Sequence, residues 1–179
     1  MQTTTLIIRH GEKPALGFGQ LDCRGLNRSL ALAPLLLARY GRPQAIYAPN
    51  PAQLKTDKGV AYAYVRPLAT VEPLAVRAGL PIGIEWGMTE VDALASHLAA
   101  AGPGVRVVAW EHHWAETLAR RLLEHLGGDP AVVPTWADDD FDSIYVIRSD
   151  AAGARFSRER QGLDGLPETC PAPPAPSPN

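Results

Sequence analysis

Two short apolar runs limit what this chain can fold into. Leu6-Ile7-Ile8 stops abruptly at Arg9-His10-Gly11-Glu12, and Val105 to Ala109 stops at Trp110-Glu111-His112-His113. The first run, extended back to Thr4, is almost entirely β-branched or apolar, which suits a strand buried on both faces of a mainly parallel sheet. In an open α/β sheet, ligands collect outside the carboxyl ends of the strands. Two distant stretches of sequence would then deliver imidazoles to one place.

Helical spacing fills the intervals between strands. Glu12 to Arg24, with Pro14, Gly17 and Gly19, reads as a loop. Asn27 is placed to cap a helix carrying Leu30, Ala31, Leu35, Leu36 and Leu37, closed by Gly41 and Pro43. Pro34 predicts a kink there, or two abutting helices with the second starting at Pro34. Ala45 to Ala48 reads as a short strand and Gln53 to Lys58 as a polar loop. Leu68, Val71, Leu74 and Ala75 place a helix after Pro67 that ends at Gly79, and Ile82 to Ile84 would be a minor strand. Thr89-Glu90-Val91-Asp92 opens a further helix, and Leu118, Ala119, Leu122, Leu123 and Leu126 mark the last one. Ile144 to Ile147 is the final strand. This alternation predicts a three-layer α/β/α sandwich with a mainly parallel central sheet and right-handed crossovers. Residues 1–170 are expected to form one domain. Residues 171–179, proline-rich and without a large apolar side chain, are expected to form a disordered tail.

With 179 residues, 46% of them hydrophobic and 20% charged, the chain has enough apolar material for a sizeable core. A net charge of -2 offers no global attraction to nucleic acid or an anionic membrane, so neither is an expected partner. No apolar stretch approaches the roughly 20 residues of a membrane-spanning helix. Met1 to Thr5 lacks the pattern of a secretory signal, and a cytoplasmic location is expected. Cys23 and Cys170 are too few for a disulfide-stapled scaffold and wrongly spaced for a zinc ribbon, so two idle reduced thiols are expected. The alternative is a bridge holding the C-terminal segment to the Cys23 loop in an oxidising compartment.

A histidine that attacks phosphorus must carry a lone pair on the attacking nitrogen, and a neighbouring guanidinium disfavours its protonation. Arginine also holds equatorial phosphoryl oxygens through paired hydrogen bonds, and moving that group is mostly positioning and charge stabilisation. Arg9, His10, Arg66 and His112 supply these residue types. A cation at the helix start near Arg66 opposes the helix dipole and calls for an anion, which a phosphate would provide.

Arg9-His10-Gly11-Glu12 resembles the signature of the histidine phosphatase superfamily, with its phosphoglycerate-mutase-like fold. Arg66-Pro67-Leu68-Ala69-Thr70 is similar to the family's second segment, in which an arginine precedes a threonine by four residues at a helix start. Gly25-Leu26-Asn27 resembles the Gly-Leu-Thr helix entry, and Glu111-His112 after its strand resembles the Ser-His-Gly block. The resemblance implies that His10 becomes transiently phosphorylated, that Arg9 and Arg66 grip the phosphoryl oxygens, and that His112 donates to them. Water would then release phosphate, without metal or organic cofactor.

The proton donor for the leaving group is sought among Glu85, Glu90 and Asp92; Glu90 is preferred, with Glu12 next. Glu12, Lys13, Gln20, His113 and Trp114 are the candidate substrate-binding residues. His113 and Trp114 stand where the family pattern has a small residue, which reshapes the pocket. The expected substrate is a phosphomonoester or a phosphorylated protein. The rival readings are a non-catalytic phosphoryl-binding protein, a phosphomutase, and a metal-dependent hydrolase using the histidine pair with Asp138-Asp139-Asp140-Phe141-Asp142. That acidic run is instead expected to be a solvated loop, and no metal site is assigned.

Overall fold

The computed structural model describes residues 1–174. Its central sheet contains β1 (Thr3–Arg9), β2 (Ala45–Tyr47), β5 (Ile82–Gly83), β6 (Gly104–Trp110), β7 (Ser143–Asp150) and β8 (Gly153–Arg160), in the spatial order β5-β2-β6-β1-β7-β8. The β5, β2, β6 and β1 neighbours are parallel, whereas β7 and β8 add an antiparallel margin. Helices α1 (Cys23–Tyr40) and α2 (Arg66–Ala78) cover one face; α3 (Val91–Ala99) and α4 (His112–His125) cover the other.

Burial alternates along the central strands as two covered faces require. Leu6, Ile8, Val107 and Ala109 pack with Leu32, Leu36 and Leu74 of α1 and α2. Ile7, Val108 and Trp110 pack with Leu94, Leu118 and Leu122 of α3 and α4. The three-layer sandwich is therefore the fold. β1 and β6 lie side by side with Arg9 opposite Trp110, so the segments that follow them leave the sheet together.

Several local expectations are corrected. α1 begins at Cys23 rather than near Asn27, because Asp22 is the cap: its carboxylate accepts from the Gly25 N–H at 2.8 Å. Asn27 instead donates to the carbonyls of Pro167 and Thr169. The helix continues through Pro34 without a break; Pro34 is exposed, so the carbonyl it leaves unpaired faces water. The stretch read as a polar loop is half of a hairpin, β3 (Leu54–Asp57) and β4 (Val60–Ala63). Its turn, Lys58-Gly59, takes φ of 50° and 84°, the positive values that a tight two-residue hairpin turn demands. β8 was not anticipated either, since Arg155-Phe156-Ser157-Arg158-Glu159-Arg160 is a charged edge strand with no continuous apolar face.

Cys23 and Cys170 are bonded to each other, contrary to the idle thiols expected. The bridge ties the C-terminal segment to the start of α1, where Arg24 also donates to the Asp164 carbonyl at 2.6 Å. Thiol titration of the denatured protein should find no free cysteine; two would contradict the pairing. Reduction should lower unfolding stability by about 2–4 kcal/mol through loss of a long-range crosslink, measured by urea titration with and without reductant. Residues 171–174 of the expected tail are exposed and without regular structure; 175–179 lie outside the described residues.

Candidate active site

The carboxyl ends of β1 and β6 place His10 and His112 beside each other's strands. The His10 N–H donates to the Trp110 carbonyl at 3.1 Å, extending the ladder one residue past β1. Gly11 then passes close to α1, and a Cβ added there would stand 2.9 Å from Gly25 Cα. Glycine at both positions lets the loop press against the helix. The Gly11 N–H donates to Thr70 Oγ1, whose hydroxyl donates to the Arg66 carbonyl, linking the His10 loop to the first turn of α2.

The His10 side chain is buried, and its Nδ1 lies 2.7 Å from the Gly11 carbonyl. A carbonyl can only accept, so Nδ1 carries the proton and Nε2 the lone pair. Burial holds the imidazole well below its usual pKa of 6.5. The Gly11 carbonyl opposes this, whereas the charges of Arg66 and Arg9 reinforce it. Near neutral pH His10 is thus a neutral imidazole with a free Nε2.

Arg66 is fully buried at the start of α2, and the anion that offsets the unfavourable helix dipole belongs to the protein. Asp57, from the hairpin, accepts from both terminal nitrogens of Arg66 at 2.9 Å each. Burial would raise the Asp57 pKa, but the bonds from Arg66 and from the Gly19 N–H hold it at about 2. Because that value is below the 3.8 of an unpaired aspartate, the pair's contribution to stability is complete above about pH 4 and lost as pH falls through about 2. Melting temperature should therefore drop across that window, and Asp57→Asn should flatten the drop while lowering stability at neutral pH.

Arg9 stacks its guanidinium 3.8 Å above the Phe141 ring and donates to the carbonyls of Asp138 (2.6 Å) and Asp140 (3.3 Å), strapping this loop over the cleft. Glu111 caps α4 by accepting from the Trp114 N–H. Burial pushes the Glu111 carboxyl up, but the adjacent His112 imidazole and the hydrogen bond from the Trp114 N–H outweigh it and hold it at about 2. The geometry around His112 is mixed: Glu111 Oε1 is 2.8 Å from Nδ1, yet that nitrogen has no aligned hydrogen-bond partner. The carboxylate lies off the Nδ1–H axis, where a hydrogen bond is weak. His112 Nε2 is 2.8 Å from Asp138 Oδ1 in good geometry.

Arg9, His10, Arg66, His112 and Asp138 line one open cleft of about 410 Å³. Among the described residues, the buried side-chain polar atoms without a partner include Arg9 Nε, Arg66 Nε and His112 Nδ1, all from residues of this cleft, and Tyr64 OH. The Tyr64 ring lies 6.1 Å from that of His10 and 5.0 Å from the Arg66 guanidinium. Unsatisfied buried donors are costly, and three of them on residues that line one cleft with His10 mark a place suited to an anion with several oxygens.

No protein-family model and no curated protein matches the chain. Solved structures do. The protein histidine phosphatase SixA complexed with tungstate matches at TM-score 0.60 and 16% identity, covering 89% of this chain and 97% of that one. This chain shares that structure's fold. A phosphoserine phosphatase variant from Entamoeba histolytica, in complex with phosphoserine, matches at TM-score 0.57 and 12% identity over 92% of this chain and 99% of that one. Phosphoglycerate mutase from Plasmodium falciparum gives TM-score 0.57 at 12% identity, covering 96% and 98%.

In this fold the expected Arg9, His10, Arg66 and His112 come together, and Lys13 and His113 join them in lining the cleft. Glu90 does not. It caps α3 on the surface, where its carboxylate accepts from the Gly87 N–H and from Gln53 and is held ionised. Glu12 is also displaced, since Arg28 binds its carboxylate and it lines a neighbouring cavity of about 500 Å³. Gln20 is exposed with its amide oxygen on the Leu21 N–H, and Trp114 packs against the core around Trp110. The acidic run is not a free loop. Asp140 and Asp142 accept backbone and arginine hydrogen bonds, and Asp138 reaches the cleft. Asp57, Tyr64, Phe141 and the proximity of Asp138 went unrecognised because each depends on a hairpin or loop placed by tertiary packing. The one available signal was Lys58-Gly59, a two-residue hairpin turn.

Proposed function

We propose that this chain is a histidine phosphatase that hydrolyses phosphoryl groups through a phosphohistidine on His10. The observation that carries the reading is that Arg9, Arg66 and His112, each with a buried nitrogen lacking a partner, line one cleft with a neutral imidazole whose Nε2 is free. His10 Nε2 attacks phosphorus, an Nε2–P bond forms, and the bond to the leaving group breaks with its electron pair on the leaving atom. Arg9, Arg66 and His112 donate to the equatorial oxygens as charge shifts onto them. Water then attacks the same phosphorus from the vacated side, the Nε2–P bond breaks, and inorganic phosphate departs with His10 neutral again.

Among the described residues the cleft lacks a carboxylic acid suited to protonate an alkoxide. Glu90 faces elsewhere, Glu111 is ionised with a pKa of about 2, and the hydrogen bond to His112 holds Asp138 below the usual aspartate value. This favours leaving groups that depart unaided, such as aryl phosphates and the phosphoramidate of a phosphohistidine. The fold match to the protein histidine phosphatase SixA points the same way. The expected substrate is accordingly a phosphorylated protein or an activated small phosphate ester. Activity on an aryl phosphate should exceed that on an alkyl phosphate by on the order of 10² in kcat/KM, the scale of an absent general acid. Equal rates would restore a proton donor. The pH–rate profile should lack an acid limb near 6.5 from His10, and exhaustive chelation should leave hydrolysis unchanged.

A non-catalytic phosphoryl-binding protein is the second reading, favoured by Glu111-His112-His113-Trp114 standing where the family pattern has Ser-His-Gly. Binding of phosphate without turnover of any activated ester would select it. No described helix is long and apolar enough to cross a membrane. A cytoplasmic location and the Cys23–Cys170 bond pull in opposite directions, because cytosolic thiols are normally kept reduced.

A further inference from the structure

Beside His10, the mouth of the cleft gathers metal-binding groups, of which His113 and Asp138 have no part in the phosphatase chemistry. His112 and His113 open α4 with their rings 3.9 Å apart. Asp138 Oδ1 stands 2.8 Å from His112 Nε2 and 3.4 Å from His113 Nε2. Among the described residues these imidazoles are the ion-pair partners of the Asp138 side chain. Arg9 is near but bonds the backbone carbonyl, which fixes the residue against the histidines. Donor atoms of Glu111, His112 and His113 also lie within 4.8 Å of one another.

We propose that His112, His113 and Asp138 form a binding site for a divalent transition metal of the zinc type. Donors each about 2.0–2.1 Å from a tetrahedral zinc stand about 3.3 Å from each other, and the two nitrogen–oxygen separations bracket that spacing. Two imidazoles and a carboxylate are the donor set of zinc, copper or nickel rather than magnesium or calcium. Glu111 supplies the remaining feature. Its Oε1 lies 2.8 Å from Nδ1 of His112, so a small ring rotation gives the carboxylate–histidine–metal arrangement that fixes a ligating imidazole. His113 and Asp138 are exposed, leaving the site open to an ion from solvent and its fourth position free for water.

The same His112 cannot serve zinc and a phosphoryl oxygen together, so zinc should inhibit hydrolysis reversibly. That consequence rests on the proposed function, but metal binding itself does not. Calorimetric titration of the full chain with zinc chloride, in a non-chelating buffer near neutral pH, tests the site. One zinc per chain is expected, with Kd raised at least roughly tenfold by His113→Ala and by Asp138→Asn. His97→Ala and His125→Ala, which alter the histidines of other surfaces, should leave Kd unchanged. Both exposed-site variants should melt like the wild type. No stoichiometric binding, an unchanged Kd in both site variants, or loss of binding only in the His97 or His125 variant would overturn the proposal. Stoichiometric zinc with hydrolysis intact would uphold the metal site and remove His112 from the phosphoryl pocket.

Discussion

His10→Ala should reduce aryl phosphate hydrolysis by a factor on the order of 10⁴ or more, with the fold retained. The size follows from the role: the imidazole forms the covalent bond, and no other neutral nucleophile shares its place between Arg9 and Arg66. Removing a donor to the developing charge costs less, so His112→Ala should lose about 10² to 10³. Far-UV circular dichroism and melting curves separate lost chemistry from lost structure. Acid-labile radiolabel from a phosphorylated substrate should appear on the wild type and be absent from His10→Ala. Activity of His10→Ala within tenfold of wild type would remove the phosphohistidine step.

Arg28→Met should destabilise the protein by about 3–5 kcal/mol, the range for breaking a buried ion pair from one side. Arg28 is fully buried on α1. It binds Glu12 through Nε and Nη2, Asp142 and Gln161 through Nη1, and Asp164 through Nη2. Methionine keeps much of the volume but leaves Glu12, only slightly exposed, without its guanidinium and the buried Asp142 with Arg160 and backbone N–H groups alone. Asp164 is exposed and can return to water. Urea titration measures the loss, and Arg28→Met combined with Asp142→Asn should recover part of it. Because Glu12 follows Gly11 directly, hydrolysis should fall too as the His10 loop loosens. A loss under 1 kcal/mol would show that the network is not structural.

The parts of the fold legible in the sequence were those where one signal dominates. β1 and β6 announce themselves as apolar runs that stop at charged residues, and α2 is bounded by Pro67 and Gly79, the latter a left-handed cap in the structure. The parts that were not legible depend on partners far along the chain. Asp22 outcompetes Asn27 as the α1 cap because Asn27 is drawn to Pro167 and Thr169. The β3–β4 hairpin is half-exposed and mixed in polarity, yet it delivers Asp57 to Arg66, so the anion assigned to substrate turned out to be internal. Glu90 reads as catalytic because it opens a helix, yet its carboxylate turns back to the Gly87 N–H and Gln53 instead of toward the cleft. The Asp138 to Asp142 run divides by position: Asp142 is buried under Arg28, and Asp138 is held at the cleft by Arg9.

A crystal structure of the full chain grown with tungstate tests the central claim most directly. The oxyanion is expected beside His10 Nε2, accepting from Arg9 Nε, Arg66 Nε and a nitrogen of His112, with the Asp138 carboxylate moved aside. A tungstate bound elsewhere while this cleft stays closed by Asp138, or guanidiniums of Arg9 and Arg66 turned away from it, would contradict the account.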